Sequence, residues 1–396
     1  MRRPLVALLS LAFAACSGTP PSTTGGTTGT GDGSSGGCCD GGGSSGSTGG
    51  STSGGSTSSG GSTGSGGMTS GGSSGGTGGG CTSCPSGFSC GTANGIPVCR
   101  NDQTDIPKFT HVFVIMMENT SYSSLQGATA PYLQGLERTA ATSRAYSGVT
   151  DPSLPNYIAL TSGDTQGIGC DCYPAGQGGA CDLSTCSNIF FTNSCNCGGM
   201  TVTHLGDQLD GAGLSWRAYA ESMGATCNVS EKSPYAPRHV PFLYYQDVLG
   251  PASVCNAHVV DYGNFAGDLG GGSFPAFAFL TPNLDHDMHG TGLLQSDTDV
   301  TNGDAWLSKN VPPILASAAY TSGGIVFIVW DEGDTSLSPG PVPFYVLSPL
   351  AKQGGYASKV TANHYSLLAT IEDGLGLSRL GKAASAQPLA DFFPAN

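Results

Sequence analysis

Phe109 to Asn119 reads FTHVFVIMMEN, a run of apolar and β-branched residues that stops at a carboxylate and an amide. Such a run has the pattern of a parallel strand buried on both faces, and ligands of open α/β sheets sit just past the carboxyl ends of these strands. Glu118 and Asn119 fall at that place. FPAFAFL (Phe274 to Leu280) runs in the same way into TPNLDHDMH, and IVFIVW (Ile325 to Trp330) into Asp331-Glu332-Gly333-Asp334. Three strands that deliver acids, amides and histidines at one end predict a single polar site able to hold a cation.

Helical patterns alternate with these strands. The sequence predicts helices over Pro131 to Thr142, from Pro155 to about Thr161, in THLGDQLDGAG, over Asp304 to Tyr320 with a break at Pro312-Pro313, and over His364 to Leu377. Pro155 suits a first helical turn, where a missing N–H is harmless. LSWRAYAE (Leu214 to Glu221) and PVPFYVLSP read as further strands. The alternation predicts an α/β fold, a doubly wound, mainly parallel sheet with helices on both faces.

The front of the chain has a different character. Residues 1–16 carry Arg2 and Arg3, an apolar stretch from Leu5 to Ala14, and then Ala15-Cys16, the layout of a lipoprotein-type export signal with Cys16 as the lipidated residue. Its apolar stretch is too short to span a bilayer. Residues 17–80 are almost wholly Gly, Ser and Thr and cannot bury enough apolar surface to offset ordering of the backbone, so a disordered tether is expected. A formal G-x-S-x-G match inside it, Gly71 to Gly75, has no strand before it and no helix after it. Residues 81–103 read as a small Cys-rich adaptor closed by two bridges, and residues 104–396 as one catalytic domain. Of the 15 cysteines, 14 remain if Cys16 is lipidated, an even number that suits disulfides in an oxidising compartment. The expected location is therefore the cell envelope or the extracellular space, with membrane contact only through the N-terminal lipid anchor. Net charge is −14, which disfavours nucleic acid and anionic bilayers as long-range partners.

Glu118, Asn119, Asp331 and Glu332 are oxygen donors, a set that favours hard or borderline divalent cations. Asp285-His286-Asp287-Met288-His289 concentrates four ligand-type side chains in a chain that has only 7 histidines. Ser153, in SLPN, stands just before a helix, where free N–H groups and the helix dipole favour a phosphoryl oxyanion. An ordinary N-cap serine would look the same. His364 begins a helix, a position suited to a phosphate contact, a metal ligand or a leaving-group acid. His239 lies in a loop beside Arg238, whereas His204 and His258 lack polar companions and read as structural or surface residues. Gly376 to Ala383 approaches a P-loop but follows a helix and lacks the terminal hydroxyl.

HVFVIMMENTSYSSL, SLPNYIALTSG, SWRAYAE, RHVPFLYY, TPNLDHDMHGT, VWDEGD and NHYSLLATIEDGLGL together resemble the phosphoesterase family of secreted bacterial acid phosphatases and non-specific phospholipases C, within the alkaline-phosphatase-like superfamily. The resemblance covers about Thr110 to Leu380. It implies that Glu118, Asn119, Ser153, Asp331 and Glu332 hold one divalent cation and that Ser153 is the nucleophile that becomes phosphorylated. It further implies that His239, Asp287, His289 and His364 bind phosphate, hold a second cation or, for His289 and His364, protonate the leaving group. Glu332 replaces the histidine of dizinc members, so a zinc pair is not expected. The function implied is hydrolysis of a phosphate monoester, with cleavage of phospholipid head-group diesters as the alternative. A non-enzymatic surface-binding lipoprotein is a remoter reading. A sulfatase is disfavoured because Ser153-Leu154-Pro155-Asn156-Tyr157 lacks the arginine of that family's core.

Overall fold

The computed structural model describes residues 81–126, 130–174, 179–180, 195–290, 296–334 and 338–396. The export signal with Cys16, the tether, and Cys38, Cys39, Cys181 and Cys186 lie outside the described residues. Eight strands form the main sheet: β1 (Val112–Met117), β2 (Ala141–Ser143), β3 (Trp216–Ala220), β4 (Val259–Asp261), β5 (Phe277–Thr281), β6 (Ile325–Trp330), β7 (Phe344–Leu347) and β8 (Ala357–Ser358). Their order across the sheet is β8-β2-β7-β6-β1-β5-β3-β4. From β6 to β4 all neighbours run parallel, and β7 alone is reversed, antiparallel to both β6 and β2.

Every residue of β1 and of β6 is buried. Successive strand side chains point to opposite faces, so burial of the whole run means that both faces are covered. The central register decides the position of the site. Met117 pairs with Trp330, which leaves Glu118 and Asp331 as the next residues of two adjacent parallel strands.

Four helices matter below: α1 (Pro131–Leu136), α2 (Ser153–Ser162), α3 (Asp297–Leu315) and α4 (His364–Leu375). Helix α2 packs against α4, and α1 against α3. The carboxylate of Asp304 in α3 accepts from the N–H groups of Tyr132 and Leu133 and so satisfies orphan donors at the start of α1.

Two expected helices differ from the structure. The one predicted to reach Thr142 stops at Leu136, because Ala141 to Ser143 pair with β7 and β8 as β2. The one predicted from Asp304 with a proline break runs without interruption from Asp297 to Leu315. Pro312 and Pro313 are both exposed while Val311 and Ile314 beside them are buried, so carbonyls deprived of a helical partner face water.

A hairpin of Phe88–Ala93 and Ile96–Asn101 precedes the sheet. Arg100 reaches Asp105 and the carbonyls of Thr92 and Pro394, and Asn94 Nδ2 donates to the carbonyls of Pro349 and Ala351. Only one of the two bridges expected here is formed, Cys84–Cys99, and Cys81 and Cys90 are thiols. Cys90 Sγ donates instead to the carbonyl of Cys81 at 3.0 Å. Cys172–Cys197 and Cys227–Cys255 are also bridged. Among the described residues no helix is long and apolar enough to cross a membrane.

Candidate active site

Helix α2 opens at Ser153, and the turn before it is built around Asn156. Asn156 Oδ1 accepts from the N–H groups of Val149 and Thr150, and its Nδ2 donates to the carbonyls of Thr150 and Pro152. Four bonds from one fully buried amide hold the residues leading into Ser153. Gly148 lets this turn close onto β6, since a Cβ there would lie 2.4 Å from the carbonyl oxygen of Asp331. Ser153 is consequently buried beside the end of the sheet.

Ser153 Oγ donates to Glu118 Oε2 at 2.8 Å and lies 3.5 Å from Asn119 Oδ1. The N–H of Asn119 donates to Asp331 Oδ1 at 3.1 Å. Asn119 adopts φ +39°, a left-handed conformation that asparagine tolerates better than most residues. On the other side of Glu118, Tyr157 OH donates to Oε1, and His239 Nε2 lies 3.4 Å from the same oxygen. His239 Nδ1 is 3.6 Å from Asp287 Oδ2, and its ring stacks on Tyr157. The DHDMH loop is tied to β1 by the Glu118 N–H, which donates to the carbonyl of Asp287. Asp287 Oδ1 in turn accepts from the N–H of His289.

Glu118, Asp287 and Asp331 are each completely buried. Burial, then Asp331 and Asp287, pushes the Glu118 carboxyl far above the usual range. Burial does the same to Asp287 and lifts Asp331 to about 7. Three atoms of this cluster have no hydrogen-bond partner among the described residues: Asp331 Oδ2, Asp287 Oδ2 and His239 Nε2. Buried carboxylates that push one another's pKa upward are unfavourable unless a positive charge joins them, and oxygen donors of this kind fit a divalent cation.

Glu332 and His364 occupy other positions. Glu332 Oε2 accepts from Ser338 Oγ at 3.3 Å, and burial together with Asp331 drives its carboxyl up to about 12. His364 Nε2 donates to the carbonyl of Asp331 at 2.6 Å, and its Nδ1 accepts from Tyr146 OH at 2.9 Å. With both nitrogens engaged and the ring fully buried, His364 braces the end of β6 and has no proton to offer a leaving group, in contrast to the role expected for it. His289 Nδ1 donates to the carbonyl of Gly290, which leaves Nε2 without a hydrogen bond among the described residues, and burial lowers its pKa.

Four residues near the nucleophile carried no usable signal in the sequence. Tyr157 and Asn156 read as ordinary helix positions. Asp171 lay in a Cys-rich stretch, yet its Oδ1 accepts from the N–H of Leu154, the residue after Ser153. Arg238 stands in sequence only as the neighbour of His239, yet its Nε lies 3.7 Å from Asp171 Oδ2.

Among the described residues, ligand atoms close enough to share one ion come together at Cys81, Cys84 and Cys99, two of which are disulfide-bonded, and at His204, Asp207 and Asp247. His204 Nδ1 accepts from the N–H of Gly206, so Nε2 carries the proton that it directs at Asp247, and no lone pair remains for an ion. His258 is also structural: its Nδ1 donates to the carbonyl of Trp216 and its ring stacks on that indole.

Residues 128–378 match the model of the Phosphoesterase family. That span takes in Ser153, His239, Asp287, His289, Asp331, Glu332 and His364, while Glu118 and Asn119 lie ahead of it. The phosphatidylinositol-3-phosphatase of Mycobacterium tuberculosis is 29% identical over 290 residues, which are 73% of this chain and 84% of that one. The phosphate-repressible acid phosphatase of Penicillium chrysogenum is 26% identical over 276 residues, and the match takes in 68% of this chain but only 59% of the fungal protein. Among solved structures, murine ectonucleotide pyrophosphatase/phosphodiesterase 5 aligns with a TM-score of 0.45 at 9% identity, covering 72% of this chain and 100% of that one. Since the family match spans the chain from ahead of α1 to just past α4, this protein belongs to the phosphoesterase family and is a hydrolase of phosphoric ester bonds.

Proposed function

We propose that the chain hydrolyses phosphate monoesters in the manner of an acid phosphatase, with Ser153 Oγ as the nucleophile and a phosphoserine intermediate. The observation that carries this reading is the bond from Ser153 Oγ to Glu118 at the N-terminus of α2, one residue from the Asn119–Asp331 contact. Glu118, Asn119, Ser153 and Asp331 would hold a divalent cation, with Glu332 behind them. The cation, when bound, would lower the pKa of the serine hydroxyl and offset charge on the phosphoryl oxygens.

The protein's own groups support the remaining steps. Glu118 Oε2 takes the hydrogen bond of the Ser153 hydroxyl and orients Oγ for in-line attack. Tyr157 fixes the other oxygen of Glu118 and, by stacking, the plane of His239. Asn156 keeps the turn before Ser153 from shifting. In its imidazolium form His289, with Nδ1–H fixed on Gly290, can give the Nε2 proton to the departing alkoxide, and the neutral ring that results can draw a proton from the water that cleaves the phosphoserine. His364 contributes by holding the Asp331 backbone.

Export and lipidation of Cys16 belong to the same reading, as do the tether (17–80), adaptor (81–103) and catalytic domain (104–396). The name of the mycobacterial relative joins the two substrate classes, since it describes a phosphate monoester on a lipid head group. Turnover of p-nitrophenyl phosphate, a phosphatidylinositol 3-phosphate and a phosphocholine ester, with and without added divalent cations, tests the proposal. Cleavage of the first two is expected. Exclusive cleavage of the choline diester would replace it with a phospholipase C, and silence toward all three would leave a binding protein.

A further inference from the structure

Arg238 is unusual among the basic residues of this acidic chain. Its side chain is only 16% exposed, and its charge is felt by Asp171, Glu231, Glu118 and Asp287, and by both His239 and His289. A guanidinium has five N–H donors, and one withdrawn from water usually has most of them occupied. Here Nη1 donates to Glu231 Oε1 at 2.7 Å, and that is its one hydrogen bond among the described residues. Nε faces Asp171 at 3.7 Å, too far for a hydrogen bond, and Nη2 has no hydrogen-bond partner among the described residues.

Asp171 explains the location. Its Oδ1 accepts at 2.9 Å from the N–H of Leu154, at the end of α2 that begins with Ser153. One carboxylate therefore links the free edge of the guanidinium to the backbone beside the nucleophile. The disulfide Cys172–Cys197 pins the segment that carries Asp171, and Tyr173 OH donates to Glu231 Oε2, so both acidic partners of Arg238 are held in place.

We propose that Arg238 is a phosphoryl-binding residue that selects terminal phosphate monoesters over diesters, a role that rests on the phosphoester reading above. Its unused Nε and Nη2 donors match the fork geometry by which arginine grips two oxygens of one phosphate. A monoester dianion presents three unesterified oxygens, enough for the cation side and the guanidinium together. A diester has only two and must place its second organic group near Asp171 and Glu231. Asp171 shields the guanidinium when no substrate is bound and keeps it aimed at the start of α2.

The test compares wild type, Arg238→Gln, Arg238→Lys and Asp171→Asn, using inorganic phosphate as inhibitor and p-nitrophenyl phosphate and bis(p-nitrophenyl) phosphate as substrates. Arg238→Gln is expected to weaken phosphate inhibition and raise KM for the monoester by about tenfold or more, with a much smaller effect on the diester. Arg238→Lys should restore part of the loss. Asp171→Asn keeps the acceptor for Leu154 and removes a charge that repels the anion, so phosphate should inhibit more tightly. A folded Arg238→Gln protein with unchanged phosphate inhibition, or with equal losses on both substrates, overturns the proposal. If that variant does not fold, Asp171→Asn decides, and unchanged or weaker inhibition counts against it. Should wild type hydrolyse neither substrate, the activity reading fails, and calorimetric binding of inorganic phosphate to wild type and Arg238→Gln still decides the role of Arg238.

Discussion

The loop that carries His239 and the start of α4 that carries His364 both bring a buried imidazole to the carboxyl end of the central strands. Burial lowers the pKa of both rings, helped by Arg238 and His289 for His239, and takes His364 down to about 4. Their hydrogen bonds set them apart. His364 has one partner for each nitrogen, whereas His239 Nε2 has none among the described residues and the ring lies between Glu118, on the Nε2 side, and Asp287, on the Nδ1 side. A buried histidine with no spare valence is part of the scaffold. One whose unsatisfied nitrogen faces a buried carboxylate is equipped to meet a ligand.

Removing the nucleophile sets the floor against which both histidines are measured. Ser153→Ala is expected to reduce kcat by about 10⁴-fold or more, the scale seen when an essential nucleophile is lost. Dialysis against a chelator should come next, with activity lost and then restored by a divalent cation. Full activity after exhaustive chelation would remove the reason given for the unpartnered atoms on the His239 side. His239→Gln should lower kcat/KM by about 10²-fold while thermal unfolding changes little, since it deletes a group with no satisfied bond at Nε2. His364→Gln should behave in the opposite way, losing about 1–3 kcal/mol of stability and little turnover. If instead a well-folded His364→Gln protein fell to the level of Ser153→Ala, the contrast between the two regions would collapse.

Stability against pH sharpens the same contrast with a smaller effect. The ordinary histidine pKa is ~6.5, and His364 is lowered to about 4 when folded. Between these values the unfolded chain binds the proton and the folded chain does not. The contribution of His364 is therefore intact above the upper value, declines as pH falls through the window, and is fully lost below the folded pKa. The total is about 3 kcal/mol. Denaturant unfolding of wild type should show this loss relative to His364→Gln, and parallel pH profiles for the two would show that the ring is not held neutral by its burial.

Much of the framework could be read from the chain. The apolar runs of β1, β5 and β6 announced buried strands, and their polar endings announced the edge at which a site forms. Ser153 could be placed at a helix start because Pro155 follows it. Helix ends were less legible. Thr142 belongs to β2 through pairing with Tyr345 of β7, a partner some two hundred positions away. Pro312 and Pro313 appeared to break a helix that solvent exposure allows to continue. The companions of the nucleophile were invisible for a similar reason. Tyr157, Asn156, Asp171 and Arg238 have common residue types in unremarkable local patterns, and only the packing of α2 against the end of the sheet gives them a shared target.

By itself the sequence determined which segments must be buried strands, where their apolar character ends and which ligand-type side chains stand there, because side-chain period and hydrophobicity are local properties. It also contained enough motif to identify the phosphoesterase family. Tertiary structure alone decided which of those side chains meet: Glu118 beside Ser153, His239 between Glu118 and Asp287, His364 behind Asp331, and Glu332 turned toward Ser338. The parallel register that pairs Met117 with Trp330 is the physical reason, since it brings two distant strand ends side by side and leaves burial to decide which polar atoms have a partner and which await one.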